Sequence, residues 1–240
     1  MSFYMSFNGH VLPIRIYRVG GRGPIEQEVI GQEKVNGPGA YFIKRRLKPR
    51  RLPVDFTIIS SGLSDMRSKI DMLNSILYVK EPVPIVFSDE PDKTYYGILN
   101  GEHDWDEIVY RGRDTLPFVC LDPFKYGTER SYTIDHGTIL NGGSVETSPT
   151  FEVVFTDSAS EYVITHQETG GFIRVIWNFV AGDRLIIDTS KRKVIINNNV
   201  RMPAYDWMSR PFNLVTSSNS FAIAQSDIST TKIKFTPKWS

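Results

Sequence analysis

The sequence predicts a mainly β protein in two parts, an N-terminal α+β half built around one helix and a C-terminal half made of strands alone. Three observations carry this. Only residues 64–77 repeat apolar side chains at helical spacing. Short β-rich runs broken by Gly, Pro, Asn and Asp turns fill the rest. The pattern also changes after Asp122-Pro123, a turn in which proline fixes φ and bars the αR region to the residue before it. At 240 residues and 27.4 kDa the chain is long enough for two domains, each with its own core. The boundary is expected between Tyr126 and Tyr132, giving domains 1–128 and 129–240.

In chain order, residues 20–39 come first, where Gly21, Gly23, Pro24, Gly37 and Pro38 predict a long loop or a projecting hairpin. Residues 54–59 form a β-rich run. The helix follows, with Met66, Ile70, Leu73 and Leu77 on one face, Ser64 as N-cap and Asp65 in the first turn, where the helix dipole favours a carboxylate. Residues 84–87 and 95–99 then make a hairpin around the charged turn Asp89-Glu90-Pro91-Asp92, and strands at 108–110 and 115–120 lead to the Asp122-Pro123 closure. One helix among many strands is expected to cover a sheet face or edge. Beyond Gly127, strands are predicted at 151–156, 162–165, 172–180, 184–187, 193–196, 220–224 and 231–235, separated by turns such as Gly170-Gly171, Gly182-Asp183 and Asn197-Asn198-Asn199. Such spacing is the sequence form of a β-sandwich. In the last strand Ile233 and Phe235 alternate with Lys232 and Lys234, so one face is core and the other wet.

Composition narrows the function. The formal net charge is +1, with 17 basic against 16 acidic residues up to Gly127 and 11 against 11 after it. An even balance argues against a dedicated nucleic-acid or acidic-membrane binder. No apolar stretch has the length of a membrane span, and the N-terminus lacks a signal-peptide pattern. The single cysteine, Cys120, has no intrachain partner; between Val119 and Leu121 it reads as a buried thiol from a reducing cytoplasm.

No constellation points to catalysis, a metal or a cofactor. Glu102, His103, Asp104, Asp106 and Glu107 cluster, but in a strand His103 and Glu107 face away from the other three, so a solvated edge is expected. His10, His136 and His166 lack ligand spacing. There is no Gly-x-Ser-x-Gly elbow and no histidine beside Cys120. Gly20-Gly21-Arg22-Gly23 lacks the Lys-Ser/Thr ending of a phosphate loop.

Two surfaces remain as candidates. Lys44, Arg45, Arg46, Lys48, Arg50 and Arg51 put six basic residues in eight, expected at a subunit or partner interface or on plain surface, ahead of specific nucleic-acid binding. Tyr205 and Trp207 follow Pro203 in a less regular stretch and are the candidates for stacking on a glycan. Trp177 shares its strand face with Ile173, Val175 and Phe179 and reads as core.

Several stretches in order resemble the distal tail (Dit) proteins of long-tailed, non-contractile bacteriophages. They are Gly37-Pro38-Gly39-Ala40-Tyr41 with the basic run and Val54-Asp55-Phe56-Thr57, the helix, the 84–99 hairpin, and the closure from Asp122-Pro123 to Gly127. The second half adds Gly182-Asp183-Arg184-Leu185-Ile186-Ile187-Asp188 and Ile233-Lys234-Phe235-Thr236-Pro237-Lys238-Trp239. The resemblance covers most of the chain; residues 2–31 depart from the family pattern and 205–220 are less typical. It implies a ring-forming N-terminal belt domain, a β-sandwich with one helix and a projecting hairpin, and a galectin-like or carbohydrate-module-like C-terminal sandwich. It also implies a homo-hexameric hub at the distal end of the tail tube. That hub would join the tube protein to the tail-tip protein and carry receptor-binding or baseplate proteins, with no enzyme activity, no sequence-specific nucleic acid and no membrane insertion. The alternative is an adhesin module for host cell-wall glycan. The expected location is the virion tail tip, after synthesis in the host cytoplasm.

Overall fold

The computed structural model describes residues 3–102, 105–108, 110–134 and 138–240. The chain divides into two compact units, one closing at Tyr126 and the other spanning Gly127–Trp239.

The first unit contains β1 (Met5–Phe7), β2 (His10–Val11), β3 (Arg15–Val19), β4 (Gln27–Glu33), β5 (Ala40–Leu47), β6 (Arg50–Ile59), α1 (Leu63–Leu77), β7 (Val83–Phe87), β8 (Tyr95–Leu99), β9 (Asp106–Ile108), β10 (Arg111–Cys120) and β11 (Lys125–Tyr126). Eight of the strands form one antiparallel sheet in the order β2-β1-β7-β8-β10-β6-β3, with β9 paired to β10. Its spine is the β6–β10 ladder, in register from Arg111 opposite Ile59 to Cys120 opposite Arg50. Every second side chain points into the core. Leu52, Val54, Phe56 and Ile58 of β6 meet Leu116, Phe118 and Cys120 of β10, and Met5, Phe7, Ile85 and Phe87 join the same cluster. Burial pushes the Cys120 thiol up to about 11, so it is an inert packing group at neutral pH.

Pro53 and Pro117 sit directly opposite each other in this ladder. Neither has an N–H to give, and both lie beyond the last registered pairs of the neighbouring strands, Val19 with Val54 and Leu99 with Phe118. The ladder therefore tolerates them. The β7–β8 hairpin is present as expected, pairing Val83 with Gly97 and Ile85 with Tyr95.

The helix buries Met66, Leu73 and Leu77, with Ile70 packed alongside, as the spacing predicts. Its start differs. Gly62 is the N-cap and Ser64 lies inside the first turn, because the Asp65 carboxylate reaches back to the Ser61 backbone N–H at 2.8 Å and so satisfies the chain entry from within the helix. The same carboxylate holds Lys69 at 2.8 Å, and these bonds keep the Asp65 pKa below its ordinary value.

The second unit contains β12 (Arg130–Thr133), β13 (Ile139–Leu140), β14 (Thr150–Phe155), β15 (Ala159–His166), β16 (Phe172–Phe179), β17 (Arg184–Asp188), β18 (Lys193–Ile196), β19 (Asn199–Val200), β20 (Ser218–Asn219), β21 (Phe221–Ile223), β22 (Ser229–Phe235) and β23 (Lys238–Trp239). A six-stranded sheet in the order β12-β22-β14-β17-β18-β19 faces a three-stranded sheet in the order β16-β15-β21. The inner faces interdigitate as a sandwich. Phe155 of one sheet stacks on Phe179 of the other with ring centroids 4.0 Å apart, and the buried Tyr162 hydroxyl bonds Thr231 across the core at 2.8 Å. Trp177 is half-buried against this core with Arg201 over its ring, in keeping with its strand phase.

Candidate functional site

The first unit holds one element with no core of its own. β4 and β5 pair only with each other, and their side chains are exposed almost throughout. Register shifts between Ile30 and Gly31, where Ile43 of β5 is the unpaired bulge residue. Cross-strand partners share a face, so one face carries Val29 and Arg45, Gln27 and Leu47, and Gly31 with Phe42; the other carries Glu28 and Arg46, Ile30 and Lys44, and Gln32 with Tyr41. Val29 is 68% exposed and Phe42 is 70% exposed. A free two-stranded hairpin is marginal in water, and these apolar side chains stay exposed in the single chain.

The basic run does not act as a single patch. Lys44 and Arg46 lie on one face of the hairpin and Arg45 on the other, where it bonds Gln27. Lys48 pairs with Glu26 at 2.8 Å across the hairpin root. Arg51 is exposed at the start of β6. Arg50 leaves the group altogether: it is 4% exposed, its Nε donates to the Pro123 carbonyl at 2.8 Å, and its Nη1 donates to the carbonyls of Gly21 and Gly23 at 2.8 and 2.9 Å. A guanidinium so enclosed is a structural tie, because its planar fork gathers three carbonyls that no backbone ladder reaches.

That tie belongs to a wider clasp at the hairpin root. Arg22 bonds Asp89 at 2.8 Å and Glu90 at 2.6 Å while lying over the Phe87 ring, and Lys125 reaches Glu90 at 3.1 Å. Burial alone would raise the Glu90 carboxyl, but Arg22 and Lys125 outweigh it and hold the pKa below its ordinary value. Thr94 bridges Tyr126, and the Tyr96 and Tyr126 rings meet edge to face. The charged turn after β7 and the Asp122-Pro123 closure are thus fastened to the Gly20–Gly23 segment that leads into the hairpin. Gly21 has φ +75, and a Cβ there would overlap the Arg51 carbonyl oxygen, so the glycines serve a tight crossing with their carbonyls turned to Arg50.

In the second unit the two aromatic candidates part. Tyr205 is bridged to Val175 and packs, half-buried, on the core. Its irregular surroundings masked this, because the contact depends on a strand edge thirty residues away. Trp207 is 87% exposed at the tip of a turn. The turn is fixed by Ser209 N–H to the Asp206 carbonyl and Met208 N–H to the Asp206 carboxylate, and the Arg174 guanidinium approaches that carboxylate at 3.5 Å.

His103, Asp104 and His136 lie outside the described residues. His10 is exposed, and His166 is buried between Thr169 and Asn219. Among the described residues no group of His, Cys, Asp and Glu could hold a metal ion.

Two β units, a clasp at the root of one unsupported hairpin, and exposed apolar groups on that hairpin are the features that the described residues offer. Residues 11–120 match the model of a phage tail protein RIFT-related domain, and residues 142–239 match that of the siphovirus-type tail component, C-terminal domain. The distal tail protein of Bacillus phage SPP1 is 34% identical over 219 residues, 86% of each chain. A crystal structure of SPP1 Dit, described as a paradigm of the hub adsorption apparatus in phages infecting Gram-positive bacteria, matches with TM-score 0.89 over 100% of both chains at 27% identity. A chain of the phage P2 baseplate in its activated conformation shares the fold at TM-score 0.51 and 10% identity, over 99% of this chain and 98% of that one. The chain belongs to the siphophage distal tail protein family.

Proposed function

We propose that this protein is a non-catalytic structural hub at the distal end of a phage tail. Six copies would close a ring through the first unit, joining the tail tube protein to the tail-tip protein, while the second unit offers surface for receptor-binding or baseplate proteins. The observation that carries the reading is the β4–β5 hairpin, whose Val29 and Phe42 are left mostly uncovered in one chain. A neighbouring subunit meeting this face with a different surface of its own makes a heterologous contact, and such contacts close into rings when the rotation permits. The basic side chains around the apolar strip would set register at the rim, where charge steers docking more than it adds affinity. Synthesis in the bacterial cytoplasm, followed by incorporation into the virion tail tip, fits a lone buried thiol.

Native mass spectrometry of the full chain tests the reading. The expected species has six times the 27.4 kDa subunit mass. Phe42→Asp combined with Val29→Asp is expected to leave monomer. A wild-type chain that stays monomeric at every concentration, with the tail-tip protein added or not, would overturn the ring.

A further inference from the structure

The second unit contains a cleft of about 460 Å³ where the edge strands β12 and β21 leave the sandwich open, and the described residues that line it are all uncharged. Thr133, Ser229 and Thr230 come from the six-stranded sheet, Ser226 from the turn before β22, and Gln167 from the turn that follows β15 of the opposite sheet. The side chains of Thr133, Gln167, Ser226 and Thr230 make no hydrogen bond to any described residue, whereas Ser229 donates to the Gln225 carbonyl and keeps its lone pairs free. Phe221 supplies an apolar wall, with its ring held from behind by Phe151, Phe212 and His166.

We propose that this cleft binds a neutral, polyhydroxylated ligand, a saccharide of one or two rings. Its volume lies within the range of small-molecule sites. Free hydroxyl and amide groups from both sheets can each donate and accept, which suits a ligand whose own hydroxyls do both. The half-buried Phe221 ring offers the apolar face against which the C–H side of a sugar ring packs. Among the described residues no lysine or arginine lines the walls, so those walls offer nothing to repay the desolvation of a phosphate or carboxylate, which favours a neutral ligand over an anionic one. The sugar-binding expectation thereby shifts from the turn of Trp207 and Met208, both strongly exposed, to a concave surface. The assignment is independent of the ring.

Saturation-transfer difference NMR on the full chain, with lactose, maltose, cellobiose and N,N′-diacetylchitobiose as neutral probes and glycerol 3-phosphate as the anion, decides it. Transfer to ring protons of at least one disaccharide is expected, with affinity near about 1 mM. Thr230→Val with Ser226→Ala, or Gln167→Leu from the opposite wall, is expected to weaken it about tenfold, while Trp207→Ala leaves it unchanged. Absence of transfer from every disaccharide, equal transfer to glycerol 3-phosphate, or loss of the signal in Trp207→Ala with retention in both wall variants would overturn the cleft.

Discussion

Two hairpins of nearly equal length sit in this chain and do opposite things. β15 and β16 are eight residues each and pair with one register irregularity; β4 and β5 are seven and eight residues and also pair with one. The first hairpin alternates, burying Tyr162, Ile164, Ile173, Val175 and Phe179 against the opposing sheet. The second does not alternate. Tyr41-Phe42-Ile43 is followed directly by Lys44-Arg45-Arg46, so apolar and basic groups occur on both faces and neither face commits to its own unit's core. Strand pairing alone does not decide whether a hairpin is interior; the period of its side chains does.

The contrast is broken most severely by removing core from the first of these. Phe179→Ala deletes the ring stacked on Phe155 and leaves a cavity between the sheets, a loss of about 3–5 kcal/mol. In urea unfolding followed by domain-specific fluorescence, the second unit's transition is expected to move to lower denaturant while that of the first stays in place. A common shift of both transitions would show that the units do not fold independently.

Arg50 sharpens the comparison at the hairpin root. Arg50→Met leaves the carbonyls of Pro123, Gly21 and Gly23 without their donor and is expected to cost about 3 kcal/mol by calorimetry. Arg46→Met, four residues earlier and exposed on β5, is expected to stay within about 0.5 kcal/mol. Equal effects would mean that the clasp does not anchor the root.

This pair also marks where the sequence was readable. The helix, the β7–β8 hairpin, the longer strands of the second unit and the packing of Trp177 on the core follow from period, which is local information, whereas β12 and the two-residue strands β13, β19, β20 and β23 are too short or too polar to show one. Arg50 reads as one of its basic neighbours because its burial depends on carbonyls at 21, 23 and 123, contributions from distant segments that no local pattern encodes. Ser64 resembled a cap on residue type, but Asp65 competed for the same region by reaching back to Ser61. The half-burial of Tyr205 is hidden from the sequence for the same reason as that of Arg50, since its partner Val175 lies on another strand. The apolar cleft wall at Phe221 and the free hydroxyls of Ser226 and Thr230 had no signal, being ordinary residues brought together by the meeting of two sheet edges.

Glu90 yields a smaller effect with a defined direction in pH. Its folded pKa lies below the ordinary value near 4.5, so its contribution is complete above that value and is lost as pH falls through the lower folded one. Glu90→Gln is therefore expected to be less stable than wild type at neutral pH by about 1 kcal/mol or less, with the difference shrinking below about pH 4. Thermal unfolding at a series of pH values checks this. A gap that persists at pH 2 would show that packing of the side chain, and not its charge, fastens the turn to Arg22 and Lys125.

The smallest expected change in stability falls on the most apolar exposed ring of the β4–β5 hairpin. Phe42 is 70% exposed and belongs to no core cluster, so Phe42→Asp removes little burial from the isolated chain and is expected to leave its unfolding free energy within about 0.5 kcal/mol. The cost appears only when a second chain covers that face, because a carboxylate would then be desolvated without a counter-charge on its own strand pair beyond Arg45. Unfolding of the dilute chain and its mass at high concentration should therefore respond differently to one substitution. If Phe42→Asp destabilises the dilute monomer as Phe179→Ala does, the hairpin has a core partner within its own chain and the distinction between the two hairpins fails.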